Sequence, residues 1–207
     1  MDTLDSLWHT GNQCLKQLGL VPQPRENFQY YAGDGSVKLV QRLLRDGGDV
    51  QASRFNEAFS LYRKLFETGC TYGVKPFDGL PDVMESMKKA GAQICIFSNK
   101  DHDNTCTVME AAYPPGFFHK ILGYTGEFAR KPSPEGALYL AKQAQADPAQ
   151  CMYVGDTNTD MATGKAAGMY TVGVTWGFRP RQELEKAGAD AIAETPEELW
   201  AIFSGKK

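Results

Sequence analysis

Leu4, Leu7, Trp8, Leu15 and Leu18 recur at helical spacing and Gly19 follows, which predicts a helix over 4–18. The stretch "VPQP" then reads as a loop. In "GDGSVKLVQRLLRDGG", Val37, Val40, Leu43 and Leu44 mark one side of a second helix that the glycine pair ends. Phe55, Phe59, Tyr62 and Phe66 repeat at three and four residues, giving a third helix over roughly 51–68. No strand pattern occurs up to about residue 72, so this part of the chain is expected to be all helical.

The pattern then changes. "VKPFDGLPDVMESMKKAG" reads as a loop and a helix stopped by Gly91. "AQICIFSN" is a short apolar strand running into polar residues, followed by a helix near 102–111 and the loop "YPPG". A short strand over 119–124 leads to "KPSPEGALYLAKQAQA", a loop and helix with prolines before or at the first turn. "AQCMYVGD", "YTVGVTW" and "ADAIA" are strands, each followed by a helix: "NTDMATGKAAGM", "RQELEKAG" and "TPEELWAIF". Strands alternating with helices predict an α/β fold with a mostly parallel sheet covered on both faces.

Composition narrows the function. Hydrophobic residues are 42%, charged residues 23% and the net charge is -3 over 207 residues. This is an ordinary globular balance, and it argues against a protein that holds a nucleic-acid backbone. No apolar run is long enough to span a membrane, and the opening lacks the order of a signal peptide. Cys14, Cys70, Cys95, Cys106 and Cys151 form no C-x-x-C pair, which fits free thiols in a reducing cytoplasm.

In parallel sheets of this kind the ligand sits beyond the carboxyl ends of the strands. Polar residues collect there. Ser98 and Asn99 follow "ICIF", Asp156 follows "CMYVG" with Asp160 one turn on, and Lys131 opens an intervening loop. Each has a plain alternative. Ser98, Asn99 or Asp156 can cap a helix, Asp160 suits a first turn, and Lys131 can be a solvated surface lysine. Together they suggest a site for an anion and a cation.

These stretches resemble the haloacid dehalogenase-like hydrolase superfamily, in particular its phosphoglycolate phosphatase-like branch with a helical cap. "ICIFSN" resembles the second superfamily motif, "RKPSPEGAL" the third and "MYVGDTNTDMATGKAAGM" the fourth. "YAGDGSVKLVQRLL" resembles the branch's cap segment, with Asp34 where asparagine is common, and "GVTWGFRPRQELEKAGADAIAETPEEL" its tail. The resemblance implies a Rossmannoid three-layer α/β/α core with a small all-helical cap. Residues 1–7 would be the remnant of the core's first motif, 8–72 the cap and 73–207 the core.

The resemblance also implies a magnesium-dependent phosphomonoesterase acting through an aspartyl-phosphate. Ser98 and the Asn99 backbone would hold phosphoryl oxygens and Lys131 would offset their charge. Asp156 would bind Mg²⁺, with Asp160 acting through water or by orienting Lys131. Asp2 would serve as acid and base and as a further metal ligand. Lys38 and Arg42, with Arg45, are the cap's candidate substrate cations. The implied partner is a small phosphorylated metabolite in the cytoplasm, with no nucleic acid or membrane involved, and the protein would be a monomer or homodimer. Carbon–halogen hydrolysis and phosphosugar transfer use related chemistry, but the acid pair in "GDTNTD" favours phosphate-ester hydrolysis.

The opening "MDTLDSL" is the exception. The superfamily's first motif is an apolar strand followed by Asp-x-Asp-Gly-Thr-Leu, commonly with a later Asp-Ser. Asp2, Thr3, Leu4, Asp5 and Ser6 match it with two deletions, which puts Asp2 at the acid–base position and leaves the nucleophile without a counterpart. A sequence lacking its true start, a member without catalysis and a shortened substitute motif all fit this pattern. The expectation is weak turnover by residues 1–207, and the alternative function is a non-catalytic protein that binds phosphate or metal.

Overall fold

A computed structural model describes residues 1–205. The helical part comprises α1 (Leu4–Gln17), a 3-10 turn (Arg25–Asn27), α2 (Phe28–Tyr31), α3 (Ser36–Gly47) and α4 (Phe55–Gly69). α1 buries Leu4, Leu7, Cys14 and Leu15, and α3 buries Leu39, Val40, Leu43 and Leu44. Val37, expected on the apolar side of α3, is exposed, because the Leu39–Leu43 and Val40–Leu44 rows face α1 and α4 instead. The third helix starts at Phe55, the first residue of its aromatic repeat and later than the expected start near 51. The Asp49 carboxylate accepts from the Ser53 and Arg54 amides, both at 2.9 Å, and holds this stretch as a turn. Leu15, Phe28 and Val40 are fully buried here, and each such side chain contributes about 1.5–3 kcal/mol.

The remainder runs α5 (Leu80–Lys89), β1 (Cys95–Asp101), α6 (His102–Ala112), β2 (Lys120–Tyr124), α7 (Glu135–Gln143) and β3 (Met152–Gly155). It continues with α8 (Asn158–Ala166), β4 (Tyr170–Val174), α9 (Arg181–Lys186), β5 (Ala191–Ala193) and α10 (Pro196–Ser204). Every strand pairing is parallel, as the alternating pattern predicts. The strands form two sheets rather than one: β1 pairs with β2, while β4 lies between β3 and β5. Among the described residues, β1 and β3 therefore each have a partner strand on one side only. α5 and α10 cover one face of β3–β4–β5 through Val83, Met87 and Leu199. No described helix is long and apolar enough to cross a membrane.

Candidate active site

The carboxyl ends of β1 and β3 open onto one cavity of about 190 Å³, roofed by α3 and α4. Pockets for drug-sized ligands run to roughly 300–1,000 Å³, so this cavity suits a small metabolite. Ser98, Asn99, Lys131, Asp156 and Asp160 all line it. Asp2, Lys38 and Arg42 do not. Lys38 is exposed on α3, and Arg42 is committed to Asp34 at 2.5 Å and to the Tyr30 and Tyr31 carbonyls at 3.0 and 3.1 Å.

The centre of the site is a buried ion pair. Lys131 Nζ lies 2.6 Å from Asp160 Oδ1, with the two side chains only 11% and 8% exposed. Lys131 also donates to the Phe97 carbonyl of β1 at 3.4 Å, so its ammonium group ties β1 to α8. Burial alone would push Lys131 down, but Asp160 outweighs it and holds the lysine above its ordinary range. Burial would likewise raise Asp160, and Lys131 holds it below the usual carboxylate range.

Asp160 serves two roles at once. Its Oδ2 accepts from the Thr157 amide at 3.1 Å and from Thr157 Oγ1 at 2.6 Å, while Thr157 Oγ1 accepts from the Asp160 amide at 3.2 Å. This capping box starts α8 and fixes the carboxylate that holds Lys131. The helix cap is thus Thr157, and Asp156 is free of that duty. Asp156 accepts from the Phe178 amide at 2.9 Å. Burial first, and then the neighbouring Asp160, raise its pKa above the ordinary 3.8. Two glycines make room for the acids: a Cβ on Gly155 would stand 2.2 Å from Asp160 Cβ, and one on Gly177 2.1 Å from Asp156 Oδ2.

Ser98 and Asn99 lie within β1, and neither caps α6, whose N-cap is Asp101. Ser98 Oγ accepts from the Lys100 amide at 3.1 Å. The Asn99 side chain acts as a clamp. Its amide donates to the Gly33 carbonyl at 3.0 Å and the Lys131 carbonyl at 3.2 Å, and its oxygen accepts from the Lys131 amide at 2.8 Å. This joins the helical part, β1 and the lysine loop, a role the sequence reading did not give it. Arg179, also absent from that reading, is buried and donates to the Gln29 and Ala32 carbonyls. Its only sequence signal is an arginine after the strand–glycine stretch.

Asp2 pairs through its backbone with Lys75, the amide-to-carbonyl distances being 2.8 and 3.3 Å. Its side chain accepts from the Leu4 amide at 3.2 Å. The Met1 amine is pushed down by burial and back up by Asp156 and then Asp2, so it lies within electrostatic reach of both. Asp5 is drawn away to Arg25 at 2.6 Å. Among the described residues no three His, Cys, Asp or Glu side chains cluster as metal ligands. The donor set still fits magnesium. A buried carboxylate with a raised pKa gains from a cation, and Mg²⁺ is commonly held by one or two carboxylates plus water and substrate phosphate.

A cavity of this kind beyond parallel strands, with a lysine and two carboxylates, belongs to the haloacid dehalogenase-like hydrolases. The chain is a member of that family, which matches residues 1–174. At the family level it is a hydrolase of phosphatase type. A phosphoglycolate phosphatase of Neisseria gonorrhoeae is 29% identical over 179 residues, covering 86% of this chain and 76% of that protein. One from Aquifex aeolicus is 28% identical over 80% of this chain and 75% of its own length. A solved structure from Lactobacillus delbrueckii subsp. bulgaricus, provisionally named a phosphoglycolate phosphatase, is 26% identical with a TM-score of 0.89. It covers 98% of this chain and 92% of that one. A haloacid dehalogenase-like family protein of Streptococcus pneumoniae shares the fold at TM-score 0.85 and 21% identity, covering 98% and 92%.

Proposed function

We propose that the site binds and hydrolyses a small phosphate monoester of the phosphoglycolate kind, in the cytoplasm and with magnesium. The observation that carries this reading is the buried Lys131–Asp160 pair beside Asp156 and Ser98 in one small cavity. Lys131 is held charged where a phosphoryl group would sit, and Ser98 offers a hydroxyl donor for an equatorial oxygen. Asp156 is the principal metal ligand, Asp2 adjoins it, and Asp160 acts by fixing Lys131. When bound, the metal supplies positive charge against the phosphoryl oxygens. Asp2 carries the proton to and from the ester oxygen.

An in-line attack also needs a carboxylate with no other duty. Asp160 is paired, Asp5 is drawn to Arg25, and Asp156 is assigned to the metal. Residues 1–207 therefore bind a phosphate ester better than they turn it over. The same observation favours a second reading, a phosphate-binding member without catalysis.

Calorimetric titration of inorganic phosphate with magnesium present tests the anion site. Lys131→Ala is expected to weaken binding by about tenfold or more, and Ser98→Ala by less, since a full charge outweighs one neutral hydrogen bond. The reverse order, or no effect from either change, removes Lys131 from its role.

A further inference from the structure

The loop from β4 to α9, residues 175–180, holds Asp156 in two ways. The Phe178 amide donates to Asp156 Oδ2 at 2.9 Å. Gly177 brings the loop backbone so close that a Cβ there would stand 2.1 Å from the same oxygen. The loop has no helix or strand of its own to fix that amide, so its position depends on what the loop is tied to. The residue after Phe178 is Arg179, a buried arginine only 8% exposed.

Arg179 ties the loop to the roof of the cavity. Its guanidinium donates through Nη1 to the Gln29 carbonyl and through Nη2 to the Ala32 carbonyl at 3.3 Å. Nη1 also reaches the Phe178 carbonyl at 3.4 Å. Gln29 belongs to α2, and Ala32, which follows that helix, lines the cavity. Nε pairs with Glu183 of α9 at 3.1 Å, and the group lies 4.9 Å from the centre of the Tyr30 ring. A planar, forked guanidinium can serve two carbonyls and a carboxylate together, which a single ammonium on a flexible stem does less well. The Phe178 side chain fastens the same loop by packing on the helical core.

We propose that Arg179 is a positioning residue for the metal carboxylate: by bracing the loop against α2 it holds the Phe178 amide where that amide orients Asp156. This rests on the reading of Asp156 as the metal ligand. Arg179 itself does not line the cavity. Loss of a group that orients a metal ligand typically weakens metal binding by about 10–100-fold, and Arg179 acts one residue further out, so a loss of about five- to tenfold is expected.

The test is calorimetric titration of magnesium into the full chain, with hydrogen exchange at the Phe178 amide followed by NMR. Arg179→Met should weaken magnesium binding by about five- to tenfold and quicken exchange at Phe178. Arg179→Gln stands in if the methionine variant does not fold. Leu15→Ala controls for general loosening, since Leu15 packs near Gly47 at the end of α3 away from the cavity. It should lower the melting temperature yet leave magnesium affinity within about twofold of wild type. Unchanged magnesium affinity in the Arg179 variant, with Asp156→Asn weakened, overturns the positioning role and leaves Asp156 as the ligand. An equal loss in Leu15→Ala overturns it too, as does weakened binding with exchange at Phe178 unchanged. If wild type binds no magnesium, the metal reading itself fails, and the role of Arg179 fails with it.

Discussion

Val154 and Val172 are register partners in neighbouring parallel strands. Val172 is fully buried, yet Val154 is 39% exposed. Composition does not separate β3 from β4, since both are short and apolar. What separates them is neighbours: among the described residues β4 has a strand on each side, and β3 has β4 on one side. β1 is in the same position, with β2 as its one neighbouring strand among the described residues, and none of Cys95, Ile96 and Phe97 is fully buried. A strand in the interior of a parallel sheet is normally covered on both faces and paired on both edges. Ser98 lies on one of these half-open strands and Asp156 directly follows the other, so the open edges and the candidate chemistry meet at the same cavity. The helical part shows the opposite state, with Leu15, Phe28, Leu43 and Leu44 each at most 1% exposed.

The strongest way to break this contrast is to supply β1 and β3 with a partner. A variant carrying a strand of about five apolar residues ending in Asp-x directly before Asp2, with a glycine between Asp2 and Thr3, should pair with both. A gain on the order of 3 kcal/mol from newly buried side chains corresponds to roughly 10 °C in melting temperature. Turnover of p-nitrophenyl phosphate and phosphoglycolate should rise with it, because a carboxylate then stands ready for attack. A thermal melt and a magnesium-dependent assay on both forms check this. Stability without turnover favours the non-catalytic reading. Fast turnover by residues 1–207 that Asp2→Asn abolishes would contradict the missing nucleophile and make Asp2 the better candidate for it.

A smaller effect sharpens the contrast directly. Val172→Ala should destabilise by about 2 kcal/mol in urea unfolding, as a large-to-small change in a closed core. Val154→Ala should cost no more than about 0.5 kcal/mol, the scale of surface changes. Equal losses would mean that β3 is as enclosed as β4.

A pH-dependent effect concerns β1. Lys100 is depressed in the fold to about 8 from an ordinary 10.5, so its charged form opposes folding. That cost is fully present below about 8 and is relieved as pH rises towards 10.5. Wild type should therefore gain stability relative to Lys100→Met across this window, measured by urea unfolding at each pH. A parallel pH dependence for the two proteins would show that Lys100 is solvated.

Much of the fold is legible in the sequence because both periodicities are strong. The aromatic repeat of α4 and the strand–helix alternation after residue 72 place nearly every element. The misses have local causes. Asp49 diverts the start of α4 into a turn, and the contact rows of α3 turn Val37 outward. At the site, residue types just beyond strand ends pointed to Ser98, Lys131, Asp156 and Asp160, and the structure brings these four to one cavity. Lys38 and Arg42 were judged by charge on a helix, but which helical face meets the cavity depends on how α3 packs. That Lys100 and Ser36 hold buried polar atoms without a hydrogen-bond partner among the described residues was unreadable for a related reason: a polar group becomes unpaired only once the surrounding elements have closed over it. The clamp made by Asn99 likewise joins Gly33 to Lys131, residues far apart in the chain.

Asp156, buried beside a lysine-bound Asp160, is the carboxylate proposed to hold the metal of the phosphate site. Calorimetric titration of magnesium into wild type and Asp156→Asn tests this most directly. The Asp156→Asn affinity should be weaker by at least about tenfold, since loss of one hard anionic ligand costs about a kcal/mol or more. Equal magnesium affinities in the two proteins would contradict it.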